Sequence, residues 1–183
     1  MSNEVIAIIC KIACANGVDE VHVAKDGLMS TPACSAYIRQ LNEKYGNCIG
    51  GILLTASHNP GGPHEDFGIK FNSRNGGPAL EEFTNLVHSE TTKITEYKTV
   101  NFDFFSNINL SEIKDHVFNN VNRPRKSTFT IKVVENVQGY VDLMKSEFDF
   151  GVIQNLLSRK DFKMVFDGMY GASGPYAKAI FLD

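Results

Sequence analysis

The sequence has no strong excess of either charge: 18 Lys and Arg stand against 21 Asp and Glu, a formal net charge of −3. That balance gives no electrostatic reason to expect nucleic acid. No polybasic run suggests an anionic membrane surface. Any anion site must therefore be built locally. The four cysteines, Cys10, Cys14, Cys34 and Cys48, form no zinc-like CxxC pair. Cys10 and Cys14 would share one helix face, and all four are expected as free thiols, buried or half-buried, in a reducing compartment. No apolar run approaches membrane-spanning length. The stretch Val5 to Cys10 is too short for a signal core, lacks a preceding basic region and is broken by Lys11. The sequon Asn109-Leu110-Ser111 therefore has no secretory route, and a cytoplasmic location is expected.

What is present is the composition of a globular chain. Of 183 residues, 43% are hydrophobic and 21% charged, enough for one domain, or one plus part of another. Apolar Val5, Ile6, Ile9, Ile12 and Ala13 recur at helical spacing, predicting a helix over 3–15 that stops at Asn16-Gly17. Val21 to Ala24 alternates as a short strand. Thr31-Pro32 suits the start of a helix running to Tyr45. Cys48 to Thr55 is a nearly continuous apolar run, the pattern of a strand covered on both faces. Phe67 to Asn72 reads as a strand and Pro78 to His88 as a helix.

Between Thr91 and Arg125 the chain is polar and Asn-rich, with only a short helix placed, at Ser111 to Phe118. Thr128 to Val134 reads as a strand, 137–147 and 150–158 as helices, and Phe162 to Asp167 as a strand. Gly168 to Pro175 leads into a last helix. Strands alternating with helices predict an α/β fold. The last strand–turn–helix ends without a partner, as if cut within a unit.

The informative stretch is Thr55-Ala56-Ser57-His58-Asn59-Pro60-Gly61-Gly62-Pro63, which follows the most apolar strand. Open α/β sheets hold ligands at the carboxyl ends of their strands. A phosphoryl carrier needs a hydroxyl held in one geometry, and a restrained loop on a strand would give Ser57 that. A phosphoryl group brings roughly −1.5 to −2 of charge near neutral pH, so donors and cations must surround it. His58 and Lys70 could supply charge and acid–base chemistry, and the glycines would let backbone N–H groups approach an anion. By composition alone the stretch is equally a surface turn with a solvent-facing serine and histidine. Gly-x-Ser-x-Gly is absent, because Thr55 stands two residues before Ser57, and so are the Walker and dinucleotide patterns.

Taken whole, residues 55–62 resemble the phosphoserine loop of the α-D-phosphohexomutases, the family of phosphoglucomutase and phosphomannomutase. The resemblance continues through Asp66 to Asn72 and Asn75 to Pro78. It extends upstream through Ala15 to Val18 and Asp26 to Ala33, and downstream through Asp167 to Gly171 and Gly174 to Tyr176. It implies a mixed sheet sandwiched by helices: a phosphoserine-bearing first domain over 1–147, lacking its initial segment, and the start of a second similar domain over 148–183. It implies Ser57 as the residue exchanging a phosphoryl group with glucose 1-phosphate or glucose 6-phosphate through glucose 1,6-bisphosphate. His58 and Lys70 would be the catalytic neighbours, and Asn59 and Arg74 candidate phosphate contacts, with Asn59 chiefly shaping the loop and Arg74 equally a plain surface arginine. Magnesium would be the cofactor, with a Ser57 phosphate oxygen as one ligand. The family's Asp-Gly-Asp-Gly-Asp metal run is absent, as are its sugar-specificity loop and distal phosphate-binding domain, so this chain alone is expected to turn over negligibly. His22, His88 and His116 read as structural, and His64 and Glu65 as solvent-facing. Two further readings remain open: a noncatalytic phosphorylatable scaffold in vesicle or cytoskeletal association, and phosphomannomutase specificity.

Overall fold

The computed structural model describes residues 2–182. Helix α1 (Ser2–Ala15) turns Cys10, Cys14 and Ala15 inward. It leads to strand β1 (Glu20–Ala24) and a single helical turn over Lys25–Gly27. Helix α2 (Thr31–Lys44) follows, with Ser30 rather than Thr31 as its cap: the Ser30 hydroxyl accepts the Ala33 amide at 3.3 Å. Strands β2 (Gly50–Thr55) and β3 (Gly68–Ser73) precede α3 (Glu81–Thr91). Then come β4 (Lys114–Phe118), β5 (Phe129–Val134), α4 (Gln138–Glu147), α5 (Phe150–Leu157) and α6 (Gly174–Phe181).

The strands form two separate sheets. One is mixed, in the order β1–β5–β4: β1 runs parallel to β5, with Val21 opposite Ile131, and β4 runs antiparallel, with Phe118 opposite Phe129. Its two faces are covered by different helices. Phe129 and Ile131 bury with Val23 against Cys10 and Cys14 of α1, whereas His22 turns the other way and bonds the Tyr37 hydroxyl of α2 at 2.7 Å. This is the helix-sandwiched mixed sheet expected. The second sheet holds only β2 and β3, antiparallel, from Gly50 opposite Ser73 to Thr55 opposite Gly68.

Three expectations are corrected. Residues 114–118 form a strand instead of the end of a helix, because β5 offers an open edge and Phe118 packs onto Phe102 and Phe104. Residues 162–167 join no ladder, and Val165 is 93% exposed; a strand pattern without a neighbour has nothing to pair with. Strand β2 is not covered on both faces. Leu53 is buried while Ile52 is 47% exposed, since β2 pairs with β3 alone and packs against α2. That helix lies close. A Cβ at Gly51 would stand 2.9 Å from Ile38 Cδ1 and 3.2 Å from Cys34 Sγ, so glycine permits the approach.

The irregular segment after α3 supplies more core than its composition promises. Val100, Phe104 and Val121 are buried, and the Phe104 ring sits 4.9 Å from those of Phe102, Phe118 and Phe129. Arg123 ties this segment down: its fully buried guanidinium donates to the carbonyls of Cys14, Val18 and Thr128 and to the Asp19 carboxylate. All four cysteines are free. Burial pushes the Cys10 thiol up to about 12, with Cys14 adding to the shift. On the far side, α6 packs against α4, with Tyr140 and Tyr176 edge to face at 5.6 Å. The buried Tyr176 hydroxyl donates to the Asn136 carbonyl at 2.5 Å and accepts the Ser30 amide at 3.1 Å.

Candidate functional site

The β2–β3 pair presents residues 56–67 as a loop at one end. At its base, Thr55 faces Gly68 across the ladder, and a Cβ at Gly68 would meet the Thr55 carbonyl oxygen at 2.8 Å. The strands therefore approach more closely there than a side chain would allow. Beyond Thr55 the chain turns. Ser57 takes φ +61°, a left-handed conformation that costs an L-residue roughly 1–2 kcal/mol. Its amide donates to Thr55 Oγ1 at 2.8 Å, and the Asn59 amide donates to the Ala56 carbonyl at 3.1 Å. Both bonds close the turn that holds Ser57 outward.

The remainder of the loop folds back on itself. Asn59 Nδ2 donates to Asp66 Oδ2 at 2.6 Å, and the Asp66 amide donates to the Pro60 carbonyl at 3.2 Å. Asn59 thus shapes the loop. His64 and Glu65 lie in its exposed outer part.

Ser57 Oγ lies 3.3 Å from His58 Nδ1, within hydrogen-bond reach. Lys70, opposite Leu53 on β3, lines the same open depression of about 280 Å³ as Thr55, Ser57, Asn59 and Asp66. Ser57, His58 and Lys70 are all exposed. A hydroxyl and an ammonium lining one solvent-open depression, with an imidazole beside the hydroxyl, can receive and hold an anionic phosphoryl group.

Arg74 stands apart. It follows Ser73, at the end of the hairpin away from the loop, and its Nη2 donates to the Gly46 carbonyl at 2.6 Å. From Gly68 to Ser73 the strand separates the two ends by roughly 16 Å. Arg74 is therefore a staple of the distal turn and lies outside the depression. Asn42 braces the same end, donating to the carbonyls of Cys48 and Arg74 and accepting the Cys48 amide. His22, His88 and His116 fall on β1, α3 and β4, away from the loop. Among the described residues no group of three or more His, Cys, Asp or Glu side chains could hold a metal ion.

Sequence reasoning gave no role to Thr55 or Asp66. The signal for the first was present: a threonine two residues before another residue's amide is a common side-chain-to-backbone turn.

The family model of the phosphoglucomutase/phosphomannomutase α/β/α domain I matches residues 1–98, a stretch from α1 through α3 that contains the Ser57 loop. Phosphoglucomutase-2 of Paramecium tetraurelia is 55% identical over 181 residues, 98% of this chain and 32% of its own length. The cytoplasmic phosphoglucomutase of Mesembryanthemum crystallinum is 45% identical over all 183 residues, 30% of its length. Among solved structures, the open form of the exocytosis-sensitive phosphoprotein pp63/parafusin (phosphoglucomutase) from Paramecium superimposes with a TM-score of 0.94 at 54% identity. That match covers 100% of this chain and 32% of that one. The chain thus spans about a third of the length of these relatives. With the matched model covering more than half of its residues, the chain belongs to the phosphoglucomutase/phosphomannomutase family.

Proposed function

We propose that this chain carries the phosphoryl-transfer serine of a phosphoglucomutase, with Ser57 shuttling the group between the hydroxyls of glucose 1-phosphate and glucose 6-phosphate through glucose 1,6-bisphosphate. The observation that carries the reading is Ser57 itself: an outward hydroxyl on a left-handed turn, beside His58 and across from Lys70 in one depression. In the forward half-reaction the Oγ–P bond of phosphorylated Ser57 breaks while the free sugar hydroxyl bonds to phosphorus. The hydroxyl's proton passes to an acid–base group, and a proton returns to Ser57 Oγ; His58 and Lys70 are the candidates. The second half-reaction reverses these steps with the other phosphate of the bisphosphate. Magnesium, when bound in the family's enzymes, offsets charge on the transferring group. A Ser57 phosphate oxygen would be one of the groups that hold it.

A first domain reaching Glu147 belongs to the same proposal: α4 ends there and Phe148 is extended. The cytoplasmic location is likewise supported by the name of the Mesembryanthemum relative, although an Arabidopsis thaliana relative at 41% identity is named chloroplastic. No described helix is long and apolar enough to cross a membrane.

The test is incubation with glucose 1,6-bisphosphate followed by intact-mass and peptide mass spectrometry. One phosphate per chain, located on Ser57 and absent from Ser57→Ala, is the expected result. A folded chain that gains none overturns the reading. Turnover by this chain alone should be negligible, because a full cycle, unlike one uptake of phosphate, must also hold the sugar bisphosphate between two transfers, which a hydroxyl carrier does not provide. A coupled glucose 1-phosphate assay showing Ser57-dependent turnover would contradict that. The description of the Paramecium structure as an exocytosis-sensitive phosphoprotein favours a second reading, phosphorylation serving association instead of turnover. That reading would be preferred if Ser57 were phosphorylated only by a nucleotide-dependent kinase.

A further inference from the structure

We propose that Thr55 is a positioning residue for Ser57, acting through the hydrogen bond from the Ser57 amide to Thr55 Oγ1. The inference rests on the phosphoryl-carrier reading of Ser57. The β2–β3 ladder ends at the Thr55–Gly68 pair, so the Ser57 amide, two residues on, has no strand to bond to. Left unrestrained, Ser57 would relax from φ +61° toward the commoner extended or right-handed regions, and its side chain would leave the depression it lines with Lys70. At 2.8 Å, Thr55 Oγ1 supplies the missing acceptor. Thr55 is itself held as the last residue of β2, paired with Gly68 across the ladder, where only glycine leaves room for the Thr55 carbonyl oxygen. The order of dependence runs from the Gly68 contact to Thr55, and from Thr55 to Ser57.

Valine has the shape of threonine without the acceptor oxygen, and serine keeps the oxygen without the methyl group. The two substitutions therefore separate strand propensity from the hydrogen bond. In the 183-residue chain, Thr55→Val is expected to slow phosphoryl uptake by Ser57 from glucose 1,6-bisphosphate by about tenfold or more, since small displacements of a reacting atom are costly. Thr55→Ser should restore most of the rate. In parallel, amide hydrogen exchange at Ser57, read by NMR, should accelerate in Thr55→Val and stay near the wild-type rate in Thr55→Ser. Circular dichroism confirms that both variants fold. Uptake at the wild-type rate in Thr55→Val overturns the inference, as does an unchanged Ser57 amide. A wild-type chain that takes up no phosphoryl group sinks the carrier reading itself, and the Ser57 amide then decides alone whether Thr55 holds that residue.

Discussion

The three-stranded sheet and the β2–β3 hairpin are held by different physics. The sheet is anchored by burial: Phe129, Ile131, Val133 and Phe104 are out of water, and Arg123 closes the core from one side. The hairpin exposes Ile52, Ile69 and most of the Ser57 loop, and polar side chains do much of its fastening. Asn72, buried at 3% exposure, donates to the Ser35 hydroxyl at 3.0 Å and the Gly76 carbonyl at 3.1 Å. Asn42 and Arg74 staple the distal turn. The Ser57 turn thus sits where burial contributes least, and its geometry depends on a few directional bonds.

The largest effect should come from the sheet. Phe129→Ala empties the centre of an aromatic cluster, and is expected to cost about 3–5 kcal/mol in urea denaturation. A loss below about 1 kcal/mol would mean that the cluster collapses onto the gap and that burial matters less than argued here. Next is Asn72→Ala, which leaves a hydroxyl and a carbonyl without their partner at a cost of about 1–3 kcal/mol. Amide exchange should rise in β2 and β3 while β5 stays protected. Equal opening of β5 would show one cooperative unit instead of two.

The smallest effect is an acid one. The hydrogen bond from Arg123 holds the Asp19 carboxyl below its ordinary value of 3.8. A depressed folded value means that the stabilisation is complete above about pH 4, and fades as the pH falls through the folded value. Because Asp19 is 44% exposed, the loss should be modest. Denaturation midpoints of wild type and Asp19→Asn should converge below pH 3.8; parallel curves would refute the coupling.

Much of this arrangement was legible in the residues. Periodicity located α1, β1, α2, β2 and β3 to within a few residues, and the composition of 55–63 marked the loop. Helix α3 begins at Glu81 rather than Pro78, because Pro78 still bridges to Asn72. What pattern could not supply was partnership. Lys114 to Phe118 and Phe162 to Asp167 are both short mixed runs, yet only the first finds a strand edge. The core role of Phe104 was hidden in a segment without periodicity, since isolated aromatics bury by tertiary contact. For Arg74 the residues alone leave open a phosphate contact or a plain surface arginine; the Gly50–Ser73 register, set by where β2 and β3 pair, puts it at the end of the hairpin opposite the loop.

The Tyr176 hydroxyl has a mechanical consequence. It grips the backbone amide of Ser30, and Ser30 caps α2, whose Cys34 and Ile38 lie against Gly51 of β2. Helix α6, the capping serine, α2 and the strand that leads into the Ser57 turn thus form one continuous line of contacts, which joins the chain beyond α4 to the base of that turn without the two ends touching.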